Sequence, residues 1–297
     1  MIRTSAGHVR LDRPLAILFC VGLCCVPVAA QQAPKSHPSP SPRQIILPSK
    51  VIAGDQATLA VLDSQGRLLP NIIVDISGGQ KVTTDTTGRA LFNVPGGAAT
   101  LAAKIEARGI ASSTKVLPAE VPIPLAASEG GKIMDYPRVV SIHDRFTLEG
   151  PGFRGAADLN HIFLNGDPCL VLASSSVSLV ALPGPHVPLG DIRLQVDVAG
   201  GGAEEFPVSA VILEFSGPAG AVSAGSAGAL TLRARGTNLP LNVEVRNGSP
   251  KVIQLAKGNV QRLKTSGGDQ NTVAIEVRFV TGGNYSVSAK FISADRQ

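Results

Sequence analysis

The sequence predicts an all-β protein built as a row of three small antiparallel β-sandwiches. Three observations carry this. First, the 297 residues include 32 Gly and 22 Pro with only 16% charged residues, a composition poor for helices and suited to many short strands joined by turns. Second, Gly/Asp/Asn turn signals recur roughly every 8–12 residues between apolar runs, the spacing of a sandwich. Third, a strand-turn pattern near residue 146 returns about 80 residues later, a period of domain duplication rather than of a solenoid. Hydrophobic residues at 44% exclude a disordered chain, and the lack of a G-X-Y period excludes collagen.

In chain order, residues 1–30 read as a signal peptide. Arg3, Arg10 and Arg13 form a basic start, Leu15 to Val26 is uncharged and apolar, and Val28-Ala29-Ala30 offers small residues for cleavage before Gln31. The apolar run is too short for a membrane span, which needs about 20 residues, so no stable span is expected after cleavage. The protein is therefore expected to be exported: periplasmic, cell-surface or extracellular. Three of the four Cys lie in this segment, which leaves Cys169 alone with no partner for an intramolecular disulfide. Residues 31–44 (QQAPKSHPSPSPRQ) follow as a Pro/Ser-rich linker with polyproline character.

The first unit is expected at 45–118. Strands are expected at Ala57–Leu62, Ile72–Ile76, Lys81–Thr84, Ala90–Val94 and Ala99–Ala107, with turns at Asp63–Gly66, Ser77–Gly79 and Asp85–Gly88. The run from Gly54-Asp55 through Asp63-Ser64-Gln65-Gly66-Arg67 to Thr84-Asp85-Thr86-Thr87-Gly88-Arg89 resembles bacterial immunoglobulin-like domains of the invasin/intimin type. The carboxypeptidase-regulatory-like sandwich is a second match for Thr83–Leu101. Both resemblances imply a non-catalytic module. A Pro/Ala/Gly linker follows at 119–132.

The second unit, 133–213, contains Phe146-Thr147-Leu148-Glu149-Gly150-Pro151-Gly152-Phe153 and Ile162-Phe163-Leu164-Asn165-Gly166-Asp167-Pro168. Asn-Gly between alternating apolar residues is a strong hairpin signal, because a type I′ turn needs positive φ at both central positions. These residues resemble the IPT/TIG domain, an immunoglobulin-like fold. The third unit, 214–297, reads as a diverged IPT/TIG-like copy. Leu230–Gly236 matches Phe146–Gly152, and Val245-Arg246-Asn247-Gly248-Ser249-Pro250 matches the hairpin around Asn165. The resemblance thus implies three immunoglobulin-like beads, the last two closely packed for want of a linker.

No catalytic template is satisfied. There is no G-x-S-x-G, and His37, His143, His161 and His186 lie in expected loops or linkers. Zinc spacings such as H-E-x-x-H and C-x-x-C are absent, as is a D-x-D-x-D-G calcium loop, and the acids near turns read as turn caps. No cofactor is implied. The formal net charge of +5 is dispersed and not interleaved with stacking aromatics, which argues against nucleic acid. Sugar-binding sandwiches commonly use exposed aromatic platforms, yet this chain has no Trp and two Tyr. Phe153 and Tyr285, both beside turns, are the only aromatic binding candidates. The expected role is a structural, adhesive or assembly module with an envelope or surface protein as partner. An accessory polysaccharide-binding module is the alternative.

Overall fold

The computed structural model describes residues 41–119, 135–198, 203–218 and 222–292. The signal peptide at 1–30, the linker up to residue 40 and nearly all of the 119–132 linker lie outside them. The architecture is all-β, with tandem immunoglobulin-like sandwiches. The first unit holds β1 (Pro42–Ile46), β2 (Lys50–Ile52), β3 (Gln56–Asp63), β4 (Ile73–Ile76), β5 (Gln80–Thr83), β6 (Arg89–Asn93), β7 (Thr100–Ile105) and β8 (Ile110–Leu117). One layer runs β2-β8-β7-β4-β5 and the other pairs β3 with β1 and β6. Residues 42–44, placed in the linker by composition, belong to β1. Pro42 is tolerated there because it opens a strand at a sheet edge.

The two Asp turns form as their side chains dictate. Asp63 Oδ1 accepts from the Gln65 and Arg67 amides at 2.8 and 2.9 Å, and Gly66 takes φ 77°. Asp85 Oδ1 accepts from the Thr87 amide at 2.8 Å and the Arg89 amide at 3.2 Å, with Gly88 at φ 73°. Both are D-x-x-G-R turns in which a carboxylate replaces backbone partners. Backbone donors hold the Asp63 carboxyl below its usual value of 3.8, with the Arg67 amide foremost. At Asp85 the Thr87 side-chain hydrogen bond does the same. A depressed native value stabilises the fold above pH 3.8, and that contribution is lost as pH falls through the lowered value. An acid titration of stability should therefore be flat above about pH 5 and fall below 4. Asp63→Asn with Asp85→Asn should flatten the acid limb, and an unchanged limb would assign it to other carboxylates.

The second unit holds β9 (Val139–Ser141), β10 (Phe146–Glu149), β11 (Asn160–Leu164), β12 (Asp167–Pro168), β13 (Leu170–Ser174), β14 (Ser178–Leu182), β15 (Gly190–Val198) and β16 (Glu204–Ser216). Asn165 and Gly166 take φ 51° and 84°, the expected type I′ signs, between β11 and β12. The third unit adds β17 (Ala227–Arg235), β18 (Asn242–Asn247), β19 (Ile253–Leu255), β20 (Val260–Lys264), β21 (Thr272–Phe279) and β22 (Val287–Phe291). Its Asn247-Gly248 does not repeat the hairpin. Neither residue has positive φ, and Asn247 instead accepts from the Ser249 amide and donates to the Ile253 carbonyl. Gly248 serves close approach: a Cβ there would collide with the Ser286 hydroxyl.

The units are not separate beads. Strand β3 turns Ala57, Leu59 and Val61 into the first core, while Ala60 and Leu62 face the second unit. There they join Ile46, Leu172, Ala173 and Val180 in a buried cluster of their own. Ser174 pairs with Thr58, so the β1-β3 layer continues into β13-β14-β10. Polar groups close the rim. Glu149, 5% exposed, takes Lys50 Nζ and Ser49 Oγ at 2.7 Å, and the buried Arg89 donates to the Val171 carbonyl and to Asp158. Gly155 lies so close to β3 that a Cβ would approach the Gln56 carbonyl oxygen to under 3.0 Å. At the other junction β16 crosses without a break. Residues 204–210 pair with β15, and residues 212–216 pair with β17. Val139 and Val211 thereby enter the third core.

Candidate functional site

A groove of about 580 Å³ lies where the second and third units meet. Gly190, at the start of β15, lines it with φ 108°, and Gly236, after β17, lets two backbones approach. Gly236 takes φ 97°, and a Cβ on it would meet the Ala210 carbonyl oxygen at under 3.0 Å and the Gly190 amide nitrogen at 3.2 Å. Asp191, Arg233, Arg235 and Asp269 supply charges of both signs to the lining. Asp191 accepts from the Ser209 hydroxyl at 2.7 Å, and Arg235 pairs with Glu214 at 3.0 Å.

The far wall is the Thr237–Leu239 loop, and Asn271 builds it. This side chain is 1% exposed. Its Nδ2 donates to the Thr237 and Leu239 carbonyls at 2.8 and 2.9 Å, while Oδ1 accepts from the Gly267 amide at 3.0 Å. Asn160 plays the matching part in the second unit. It is 3% exposed, bonded through Oδ1 to the Arg154 amide and through Nδ2 to the Arg154 and Ala156 carbonyls. Sequence reasoning missed both. Asn271 offered one signal, its place after Gly267-Gly268-Asp269, where a side chain able to bond backbone is favoured.

The structure separates the two aromatic candidates. Phe153 is 4% exposed and packs in the second core with Phe146, Leu148 and Ile162. Its place beside a glycine turn suggested a surface ring, but Asn160 pins the Arg154–Ala156 backbone and the ring is buried in the core. No ring face is left for a sugar. Tyr285 is 40% exposed and meets Phe279 edge-on, ring centroids 5.9 Å apart. It lies in the third unit and does not line the groove.

What the groove offers is hydrogen-bonding groups and charges of both signs. Neither His143, His161 nor His186 lines it, and all three are exposed. Among the described residues no three His, Cys, Asp or Glu side chains group to hold a metal ion, and no helix is long and apolar enough to cross a membrane. Cys169 is half-buried against the second core, and desolvation pushes its thiol up to about 12. A thiolate is the reactive form, so the native protein should modify about a thousandfold more slowly at neutral pH than the unfolded chain. A thiol-reagent time course with and without denaturant checks this, and equal rates would refute the buried assignment.

No family model matches this chain, and no curated protein does. Solved structures do. The Bacteroides ovatus mixed-linkage glucan utilization locus protein SGBP-B, in complex with a mixed-linkage heptasaccharide, is 12% identical; the match covers 84% of this chain and 75% of that one, with a TM-score of 0.31. The N-terminal four immunoglobulin domains of Dscam1 isoform 6.44 are 12% identical over 82% and 73%, with a TM-score of 0.25. Sidekick-1 immunoglobulin domains 1–4 are 14% identical over 82% and 76%, with a TM-score of 0.23.

Proposed function

We propose that this chain is an exported, non-enzymatic protein of the bacterial cell envelope or extracellular space, acting as a structural, adhesive or assembly module. Its units are an invasin/intimin-type domain at 45–118, an IPT/TIG domain at 133–213 and a diverged IPT/TIG-like copy at 214–297, behind a signal peptide. The observation that carries the reading is the pair of buried, sheet-continuous junctions. They commit interior surface to holding three sandwiches in fixed relation, which serves presentation of outer faces rather than closure around a reacting molecule. Cross-linking of the full tagged chain in its native cells, followed by mass spectrometry, tests it. One dominant envelope or surface protein is expected. Turnover of a substrate by the purified chain, lost on a single point mutation, would overturn it.

The groove at the second junction favours one further reading, an accessory polysaccharide-binding module. Its mixed charges and Thr237-Asn238 amide and hydroxyl groups suit sugar hydroxyls. Saturable glycan binding lost on Asp191→Ala, or on Tyr285→Ala at the exposed ring, would support it. Phe153→Ala is no test, since it would hollow the core.

A further inference from the structure

The charge, expected from the sequence to be dispersed, is distributed unevenly along the chain. Residues 135–213 carry nine Asp/Glu against four Lys/Arg, and residues 214–292 carry nine Lys/Arg against four Asp/Glu. Within the third unit the excess gathers on one surface. The layer β20-β18-β22 turns Val243 and Val245 inward to the core and leaves its other face unpartnered. That face carries Arg246, Arg262, Lys264 and Lys290, all exposed, around a single acid, Glu244. Register places Glu244 directly opposite Arg262 on one side and Lys290 on the other. Its carboxylate meets Arg246 at 2.7 Å, Lys290 at 3.3 Å and Arg262 at 3.8 Å.

Glu244 is 6% exposed, whereas the side chains around it stay 55–80% exposed. The hydrogen bond from Arg246 leads in holding its carboxyl below the usual value. One buried carboxylate thus orients three cations and neutralises only one charge. The result is a preorganised array, with strands about 4.8 Å apart and like-facing residues about 7 Å apart along each strand. Such a grid suits repeated anionic groups on a flexible polymer better than one phosphate in a pocket. The face has no aromatic ring to stack on a neutral sugar, and its one exposed apolar side chain, Val260, is too little to anchor in a bilayer. Lys290 also lines a neighbouring groove together with Asp135, Asp144 and Arg145, so the polymer path is drawn across Arg246, Arg262 and Lys264.

We infer that the outer face of β20-β18-β22 binds an acidic polysaccharide through its carboxylate groups. The inference goes beyond the assembly reading, which names no ligand: a captured protein partner decides that reading, and polyanion binding decides this one. The test uses the full chain after signal removal, with polygalacturonate as probe, dextran as neutral control and phosphatidylglycerol vesicles as the lipid rival. Polygalacturonate should retard the protein in affinity electrophoresis and dextran should not, with binding weakening steeply as salt rises through counterion release. Arg262→Glu with Lys264→Glu should weaken it about tenfold or more. Lys251→Glu with Arg278→Glu, the same charge change at exposed positions outside this face and outside the groove, should weaken it far less. Equal loss in both pairs would reduce the effect to net charge and overturn the site. Binding to vesicles but not to polygalacturonate would overturn the polysaccharide. Salt-sensitive self-association by sedimentation, abolished by the β20 pair with no polyanion bound, would instead make a second copy the occupant.

Discussion

Gly236→Ala should destabilise the protein by about 2–4 kcal/mol and loosen the junction between the second and third units. Two independent costs act at this position. The backbone sits at φ 97°, outside the regions an L side chain adopts readily, and the new methyl group would overlap the Ala210 carbonyl oxygen. Relief is hard because both obstacles are main chain. Ala210 lies in β16 and is paired with Gly190 of β15 on one side and with Val140 of β9 on the other. Moving it disturbs a ladder held from two directions. Chemical denaturation gives the magnitude, and small-angle scattering reports whether the third unit departs from its native placement. A midpoint within about 0.5 kcal/mol of wild type would show that the approach of β16 is not tight.

Leu172→Ala should cost about 2–5 kcal/mol, and the pattern of the loss matters as much as its size. Leu172 is 1% exposed and belongs to the cluster shared by the first two units, not to either unit's own core. Its removal leaves a cavity at the interface while Leu59 and Leu194, in the separate cores, keep their packing. The first unit should then unfold in a transition of its own, ahead of the rest. Leu194→Ala is the comparison, since it hollows the second core directly. Coincident transitions in Leu172→Ala, with a midpoint unchanged from wild type, would mean the shared cluster does not couple the units.

These junctions mark where the sequence was hardest to read. The turns were legible because their chemistry is local: Asp63 and Asp85 bond amides two and four residues away, and Asn165-Gly166 needs only its own φ angles. The all-β class followed from the same signals. Alternation was the weaker guide. It assumes one face in water, and β3, β14 and all of β13 after the exposed Leu170 are buried on both faces. Their sequences, Ala57-Thr58-Leu59-Ala60-Val61-Leu62, Leu170-Val171-Leu172-Ala173 and Leu179-Val180-Ala181-Leu182, are apolar at both parities. That was a readable sign of burial on both faces, but not of which neighbour covers the second.

The boundary expected between residues 213 and 214 fell inside β16, because a strand long enough to serve two sheets reads locally like any other. The candidate site was less legible than the fold. Phe153 was misjudged because adjacency to a turn says nothing about the direction of a ring. The groove itself joins residues from β15, β16, β17 and the 236–239 and 269 loops, a combination set only by the junction.

The unbroken strand β16 has a mechanical consequence. Its thirteen residues bond to the second unit along one half and to the third along the other. Tension applied along the chain would run down this one strand. Ladder bonds perpendicular to a strand resist such a pull in shear, loading several together instead of peeling one at a time. A pair of domains tied by a flexible loop would stretch before resisting. Here the second and third units should bear load from the outset, and extension should begin with rupture inside a sheet.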